Sequence, residues 1–333
     1  MIASSPLLVM PRLGIDISKL TFDVHLCQPG GGTHSAQFAN NQEGFAQLDA
    51  WLKLHRASKT QAGIEATGPY GVLLLWHLHK GGHTVYQLNP RRVKDYARSQ
   101  GRRVKTDAVD AAVIAAYLKA CEDLKPWEPA SKALQELQDL VRRRDQVIVS
   151  LNAERNRKEK GTSKVVTASL DRLIKSLKAE VSMLDKAIEA HVLKHTDLQK
   201  NFKLLSSIDG VGRMVAVTIL AEVPQISAFE RARDVAAFAG LTPALCESGT
   251  SVRRRGAMTK EGSALLRKML YMAALHAVKS PRNAFHECYQ SFVKRGKSKM
   301  CALGAIMHKL IRVAFGVLKH ATPFVENFAK VEA

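Results

Sequence analysis

LGIDISKLTFDVHLCQPGGGTHSAQFAN, residues 13–40, is the stretch that decides the fold of the N-terminal part of the chain. Three of its segments, at 13–17, 22–27 and 33–40, are apolar or alternate apolar with polar residues, which is typical of β-strands. The run Gly30–Gly32 lies between the second and the third segment and marks a turn. This stretch therefore predicts a meander of three strands.

Downstream of the meander, strand patterns alternate with helical patterns. The predicted elements are a helix at 42–56, a strand at 61–68, a helix at 70–80, a strand at 83–89, a basic helix from residue 91 and an alanine-rich helix at 107–120. A strand meander followed by strands that alternate with helices predicts an α/β fold with a mixed sheet. We expect this domain to span residues 1–130.

The rest of the chain is predicted to be helical, in two parts. Residues 131–200 are charged, almost free of glycine and proline, and apolar at spacings of three and four, which predicts an antiparallel hairpin or coiled coil that turns near residues 161–163. Two isolated long helices must bury their apolar stripes, either within the chain or against a second chain. Residues 201–333 indicate a mainly helical domain with glycine-marked turns. Its GVG segment at 210–212 is typical either of a helix-hairpin-helix element or of a plain helix start.

The charge balance indicates a polyanionic partner. The 333 residues include 50 Lys and Arg against 30 Asp and Glu, a net charge of +20, and residues 201–333 contribute +11 of it. Such a surplus favours binding to nucleic-acid phosphates without specifying which nucleic acid. Five widely spaced cysteines argue against a disulfide framework or a zinc site and fit a reducing cytoplasm. We expect neither a signal peptide nor a membrane partner, because no apolar run approaches the roughly 18 residues of a spanning helix.

Four carboxylates are candidates for a metal site. Asp16 interrupts the apolar first strand, Glu65 lies in the strand QAGIEATG, and Asp107 and Asp110 project from one face at the start of the alanine-rich helix. If they converge at one edge of the sheet, their oxygens would suit two Mg²⁺ ions, as phosphoryl transfer requires. Taken singly, each has an ordinary structural explanation; Asp107, for example, suits a helix N-terminus.

Basic residues near these acids predict a nucleic-acid contact. Seven Lys and Arg lie between Arg91 and Lys105, and a second cluster lies in the predicted loop 240–262. A charged run is ordinarily a solvated helix face, but an arginine-rich run beside an acidic site favours contact with RNA or DNA phosphates. The candidate residues are Arg91, Arg92, Lys94, Arg98, Arg102, Arg103, Lys105, Arg253, Arg254, Arg255 and Lys260.

Two sets of motifs resemble one family of proteins. GIDISK at 14–19, IEATGPY at 64–70 and KTDAVDA at 105–111 resemble the DEDD motif of the RuvC-like (RNase H-like) domain in transposases of insertion-sequence family 110, which includes Piv-type DNA invertases. GVGRMVAVTILAEV at 210–223 and FAGLTPALCESGTSVRRRGAMTKEGSALLRKMLYMAA at 238–274, with its K-x-G-x-x-x-L-R segment, are similar to the C-terminal transposase domain of that family. The resemblance covers nearly the whole chain.

The resemblance implies a recombinase that cuts and rejoins DNA. It implies Mg²⁺ held by the four carboxylates, Ser248 as the nucleophile, a covalent phosphoserine intermediate and a Holliday junction. It also implies guidance by a noncoding bridge RNA, and a dimer of dimers in which the acidic cluster of one protomer faces the serine of another. The residues alone offer both Ser248 and Ser251, and only the resemblance favours Ser248. We expect a cytoplasmic protein that associates with the nucleoid when it binds DNA.

Two other functions stay open from the sequence. The first is a metal-dependent, structure-specific endonuclease of the Holliday-junction type, in which water attacks the phosphate and Ser248 is only a loop residue. The second is a basic RNA-binding scaffold whose acids are helix caps and strand-edge groups. The endonuclease would still cut DNA after Ser248→Ala, whereas the scaffold would bind nucleic acid without Mg²⁺ and cut nothing.

Overall fold

The computed structural model describes residues 10–65, 68–101, 107–121, 123–161, 163–244, 246–248, 252–254, 257–281 and 283–325. The chain separates into two compact units, Met1–Pro129 and Ala130–Ala333. Each unit is described by itself below.

The first unit is a mixed sheet with helices, as the sequence predicts. Its described elements are β1 (Arg12–Ile17), β2 (Thr21–Cys27), β3 (Thr33–Ala39), α1 (Gln42–Leu54), β4 (Gln61–Glu65), α2 (Val72–Lys80), β5 (Thr84–Leu88), α3 (Pro90–Ser99) and α4 (Asp107–Ala120). The strands are ordered β3-β2-β1-β4-β5. β2 is antiparallel to both β1 and β3, whereas β1, β4 and β5 are parallel to one another. The meander thus supplies one half of the sheet, and the strands that alternate with helices supply the other.

The two faces of the central strand β1 have different partners. Leu13, Ile15 and Ile17 point to one face and are buried in a core that includes side chains of α1 and α2. Alternation places Gly14 and Asp16 on the other face. A Cβ at Gly14 would lie 2.1 Å from the carbonyl oxygen of Ala111, so α4 packs on this face at a distance that only glycine permits.

The direction of α4 follows from its contacts. Its middle residues Ala111 and Ala115 lie over Gly14, whereas its last turn reaches the first residues of the parallel strands, Arg12 and Gln61. The amino end of α4 is therefore directed toward the carboxyl ends of β1 and β4.

The second unit is mainly helical in its described part. Its elements are α5 (Lys132–Glu159), α6 (Lys164–Lys194), α7 (Thr196–Ser206), α8 (Arg213–Glu222), α9 (Ala232–Phe238), β6 (Cys246–Ser248), β7 (Val252–Arg254), α10 (Ala264–Lys279), α11 (Ala284–Lys294) and α12 (Lys299–His320). The sequence predicts a loop over 240–262, but β6 and β7 form a short antiparallel hairpin there. Strands of three residues are too short for alternation to reveal them. α11 is a further element that was not predicted from the sequence.

The long helices α5 and α6 form an antiparallel pair. Arg144 binds Asp185 at 2.5 Å near the middle of the pair, and Lys158 binds Asp171 at 2.5 Å near the turn. The turn between them falls between Glu159 and Lys164, where the sequence predicts it. In the later half of α6, Ile188 and Val192 are buried in the core of the unit. In its first half, Ile174 is buried, whereas Val165 and Val166 are exposed.

The helix α12 is apolar and central to the second unit. By length and composition alone it could cross a membrane, with a mean hydropathy of 1.6 over its most apolar 18 residues. The sequence predicts a helix at about 300–319 but no membrane span, because Lys309 and Arg312 interrupt its apolar run. Its buried side chains, among them Ile306, Leu310 and Ile311, belong to the core of the unit, which accounts for its hydropathy without a membrane.

Candidate active site

Two of the four candidate carboxylates lie side by side. The register pairs Gly14 with Gly63 and Ile15 with Ile64, so the next residues, Asp16 and Glu65, follow at the same end of two adjacent parallel strands. Such strands are about 4.8 Å apart, and neighbours in register point to the same face. That face is the one on which α4 packs, and both carboxylates are partly buried there. The structure thus brings these two predicted ligands together.

The first turn of α4 brings the other two candidates to the same end of the sheet. Asp110 directly precedes Ala111, whose carbonyl group lies against Gly14, and its side chain is partly buried. Asp107 is the first residue of α4, but its side chain lies outside the described residues. The amino end of a helix carries a partial positive charge, which stabilises carboxylates placed near it.

The chemistry of these donors fits a hard divalent cation. All four are carboxylates, and oxygen ligands suit Mg²⁺ better than zinc, which prefers nitrogen and sulfur. Among the described side chains, no three His, Cys, Asp or Glu residues already form a metal-binding group. Asp107, whose side chain is not described, is the candidate that would complete such a group.

The predicted nucleophile lies in the hairpin of the second unit. Ser248 is the last residue of β6 and is paired with Val252, while Arg253 and Arg254 lie opposite Glu247 and Cys246. The side chain of Ser248 and those of both arginines lie outside the described residues, as do Ser251 and Arg255 altogether.

Ser248 lies in the segment 240–262, whose two ends meet in a close backbone contact that we call the stem of the serine segment. Two glycines that were not predicted as functional form this stem. A Cβ at Gly262 would lie 2.1 Å from the carbonyl oxygen of Phe238, and one at Gly240 would lie 2.6 Å from the amide nitrogen of Glu261. Gly240 also has a φ of 67°, which favours glycine. The backbone therefore crosses itself closely where the segment 240–262 begins and ends.

Arg267 reinforces this stem. Its Nη1 donates to the carbonyl oxygen of Gly262 at 2.6 Å and to that of Ala239 at 3.4 Å, so one guanidinium joins both ends of the segment. Burial lowers the pKa of Arg267. The K-x-G-x-x-x-L-R motif contains both Gly262 and Arg267, and it was the signal in the sequence that could have revealed the stem.

The basic candidates fall into described and undescribed groups. On α3 the side chains of Arg91, Arg92, Lys94 and Arg98 are exposed, while Val93 is buried. Lys260 is exposed at the stem of the serine segment. The candidates outside the described residues are Arg102, Arg103, Lys105 and Arg255. The described part of α3 therefore exposes four of the predicted cations, and two of them, Arg91 and Arg98, form ion pairs with Asp95.

Two family models match the chain. A transposase model of the DEDD type named for IS110 matches residues 13–161, and a model of the transposase IS116/IS110/IS902 family matches residues 202–290. The first match contains all four candidate carboxylates, and the second contains the serine segment with its stem.

Two relatives match over almost their entire length. The chain is 32% identical over 315 residues to the pilin gene-inverting protein of Moraxella bovis, covering 94% of this chain and 97% of that protein. It is 24% identical over 352 residues to a probable family 20 transposase of Pseudomonas aeruginosa, covering 94% and 98%. Among solved structures, RuvC of Thermus thermophilus in complex with a Holliday junction substrate matches 35% of this chain and 99% of its own, at 15% identity and a TM-score of 0.28. The two family models and the relative from Moraxella bovis together show that this chain belongs to the IS110 family of transposases.

Proposed function

We propose that this protein is an RNA-guided DNA transposase or invertase that cuts and rejoins DNA strands through a phosphoserine intermediate at Ser248. The observation that carries the proposal is the placement of Asp16 and Glu65 at the carboxyl ends of adjacent parallel strands, with the first turn of α4 beside them. Membership of a transposase family, and a relative named for the inversion of a pilin gene, support recombination as the reaction class.

The four carboxylates have one shared task in this mechanism. Asp16, Glu65, Asp107 and Asp110 would hold two Mg²⁺ ions, which when bound neutralise charge on the phosphate and stabilise the attacking and leaving oxygens. The close packing of α4 on Gly14 fixes the backbone at Ala111, directly after Asp110, relative to the strands that carry Asp16 and Glu65.

Ser248 supplies the covalent step. Its Oγ attacks the phosphorus and its proton passes to a carboxylate. The bond from phosphorus to the displaced DNA oxygen breaks, and this oxygen takes up the proton from the carboxylate and leaves as a hydroxyl group. The phosphoester at Ser248 conserves the energy of the broken phosphodiester, so a hydroxyl group of another strand can reverse the step and rejoin DNA without a further energy source. Two such exchanges in succession would pass through a Holliday junction.

Surface features support the partners that we propose. The exposed basic side chains of α3 and the net charge of +20 suit binding to DNA and to a noncoding guide RNA. Val165 and Val166 are 80% and 50% exposed in the first half of α6, and Leu173 is 45% exposed. Such side chains offer an apolar surface to a second copy of the chain. We propose that this surface forms a coiled-coil contact within a dimer of dimers. We also propose three domains: residues 1–130 carry the acids, residues 131–200 form the helical pair, and residues 201–333 carry the serine. The protein would act in the cytoplasm, on the DNA of the nucleoid.

The test is a search for a covalent protein–DNA adduct on a denaturing gel. Protein expressed with its native flanking DNA would be mixed with labelled element ends, target DNA and Mg²⁺. We expect an adduct with the wild type and with Ser251→Ala, no adduct with Ser248→Ala, and neither cutting nor an adduct with Asp16→Asn.

Other outcomes would assign a different function to this protein. Cutting that persists in Ser248→Ala without any adduct would assign the attack to water and make the protein an endonuclease. Binding without cutting, unaffected by removal of Mg²⁺ and by Asp16→Asn, would assign it to the RNA-binding scaffolds.

A further inference from the structure

A polar pocket lies at the end of the first unit's sheet that is opposite to Asp16 and Glu65. It has a volume of about 230 Å³ and is formed where β1 and β4 begin and α4 ends. Its described lining residues are Arg12, Gln61, Tyr86, Leu118, Lys119, Cys121 and Leu124. This set includes two cations and no carboxylate, so the pocket is positively charged.

Arg12 has a buried donor without an acceptor. Its Nε is inaccessible to solvent and makes no hydrogen bond. Within the described chain, no ion pair joins Arg12 to an Asp or Glu side chain. A buried charged donor without a partner is costly, which is why buried polar groups are almost always satisfied. Pairing with Cys27 and Gln61 fixes the backbone of Arg12 where β1 and β4 begin, so this residue stays at the pocket that it lines.

Lys119 adds a second cation to the same region. It lies in the last turn of α4 and is exposed. The thiol of Cys27 responds to both cations: burial raises its pKa, while Lys119 and Arg12 lower it. The carboxyl end of α4 disfavours an anion by at most about 1 kcal/mol, and Lys119 offsets that effect. The net preference of the pocket is therefore for an anion.

We propose that this pocket binds a phosphate group of a nucleic-acid strand. The Arg12 guanidinium and the Lys119 ammonium contact its non-bridging oxygens, and the Gln61 amide and Tyr86 hydroxyl offer neutral hydrogen bonds. Arginine matches phosphate geometry through two parallel N–H donors, and a lysine beside it adds charge. The pocket lies about 13 Å from Asp16 along β1, at 3.3 Å per residue, so it positions a strand and takes no part in cutting. This site goes beyond the proposed function, because it requires no bond to be broken.

Alkylation of Cys121 tests this site directly. Cys121 lines the pocket and is partly accessible, whereas Cys301 is an exposed thiol outside the first unit. The rate of iodoacetamide modification at each cysteine would be measured by peptide mass spectrometry. The probes are a short single-stranded RNA, a DNA of the same sequence and inorganic phosphate, at constant ionic strength. We expect an oligonucleotide to slow modification of Cys121 but not of Cys301.

The variants separate this site from general charge attraction. Arg12→Met keeps the apolar stem but removes the guanidinium, and we expect the oligonucleotide concentration needed for protection to rise about tenfold. Lys119→Gln should raise it less, and Lys53→Gln, which removes an exposed charge elsewhere on the first unit, should leave it unchanged. The melting temperature of Arg12→Met should equal or exceed that of the wild type, because a buried unpaired donor has been removed.

Each outcome decides for or against the pocket. Protection by RNA alone or by DNA alone assigns the phosphate to that strand, and protection by both assigns it to the shared phosphodiester. Equal protection in Arg12→Met and the wild type, protection by inorganic phosphate alone, or no protection at all would overturn the proposal. None of these results depends on DNA cutting. The phosphate-binding proposal can therefore be refuted while the proposed recombination activity stands.

Discussion

Replacing Gly14 by alanine should separate α4 from β1 and thereby disturb the carboxylates. The added Cβ would lie 2.1 Å from the Ala111 carbonyl oxygen and 2.4 Å from the Ala115 amide nitrogen, whereas real Cβ contacts essentially never fall under 3.0 Å. Both neighbours are backbone atoms of a helix, so the helix has to move by about 1 Å as a unit. Overpacking of this kind costs about 1–3 kcal/mol, which corresponds to a fall in melting temperature of about 3–12 °C.

Gly14→Ala should slow formation of the protein–DNA adduct by more than the loss of stability explains. A displacement of about 1 Å in a positioned group can reduce the rate about 100-fold, and α4 carries Asp107 and Asp110. The matched control is Gly63→Ala, on the neighbouring strand and under the same helix, because its Cβ would meet side-chain atoms of Leu118 and Leu88 at 3.0 Å and no helix backbone at a shorter distance. Thermal melts and single-turnover formation of the protein–DNA adduct would be measured for both. Wild-type stability and rate in Gly14→Ala, or equal damage in Gly63→Ala, would refute the reasoning.

Three further predictions concern the second unit and pH. Gly262→Ala should abolish adduct formation while DNA binding in a filter assay persists, because its Cβ would collide with the backbone at the stem of the serine segment; retained adduct formation would show that the stem does not position Ser248. Val165→Lys with Val166→Lys should lower the mass measured by light scattering and leave the helical circular-dichroism signal at 25 °C unchanged, since both side chains are exposed in the single chain; an unchanged mass would exclude this contact. Burial lowers the pKa of His83, so the stability that the neutral imidazole contributes should be complete above pH 6.5. At lower pH this contribution should decline by up to about 1.4 kcal/mol per pH unit. His83→Gln should flatten that decline in thermal melts recorded between pH 5 and 8.

The elements of the first unit could be predicted because their signals are local. Alternation over Phe22–Cys27 and the capping residue Asn89 followed by Pro90 depend on neighbouring residues alone. The order Asp16, Glu65, Asp107 and Asp110 along strands and a helix was likewise visible. These patterns were sufficient to predict the mixed sheet and to select the four acids as candidates.

Features that depend on tertiary contact could not be predicted. The sequence marks Gly14 as a residue of β1, but nothing in it shows that the backbone of α4 lies directly above. The unsatisfied donor of Arg12 likewise follows only from the way in which three elements enclose it. The hairpin of β6 and β7 was missed since its strands are shorter than one period of a recognisable pattern. The stem at Gly240 and Gly262 joins residues that are distant along the chain.

The position of α12 in the chain has a consequence for synthesis. Its apolar side chains complete a core shared with α7, α9, α10 and α11, all of which precede it. Roughly 100 residues separate the start of α7 from that of α12, so at about 5–20 residues per second the earlier helices wait about 5–20 s for their last partner. During that time their apolar faces are open to chaperones or to neighbouring chains. By contrast, every strand of the first unit's sheet, and α4 that covers it, has been synthesised before any of the second unit.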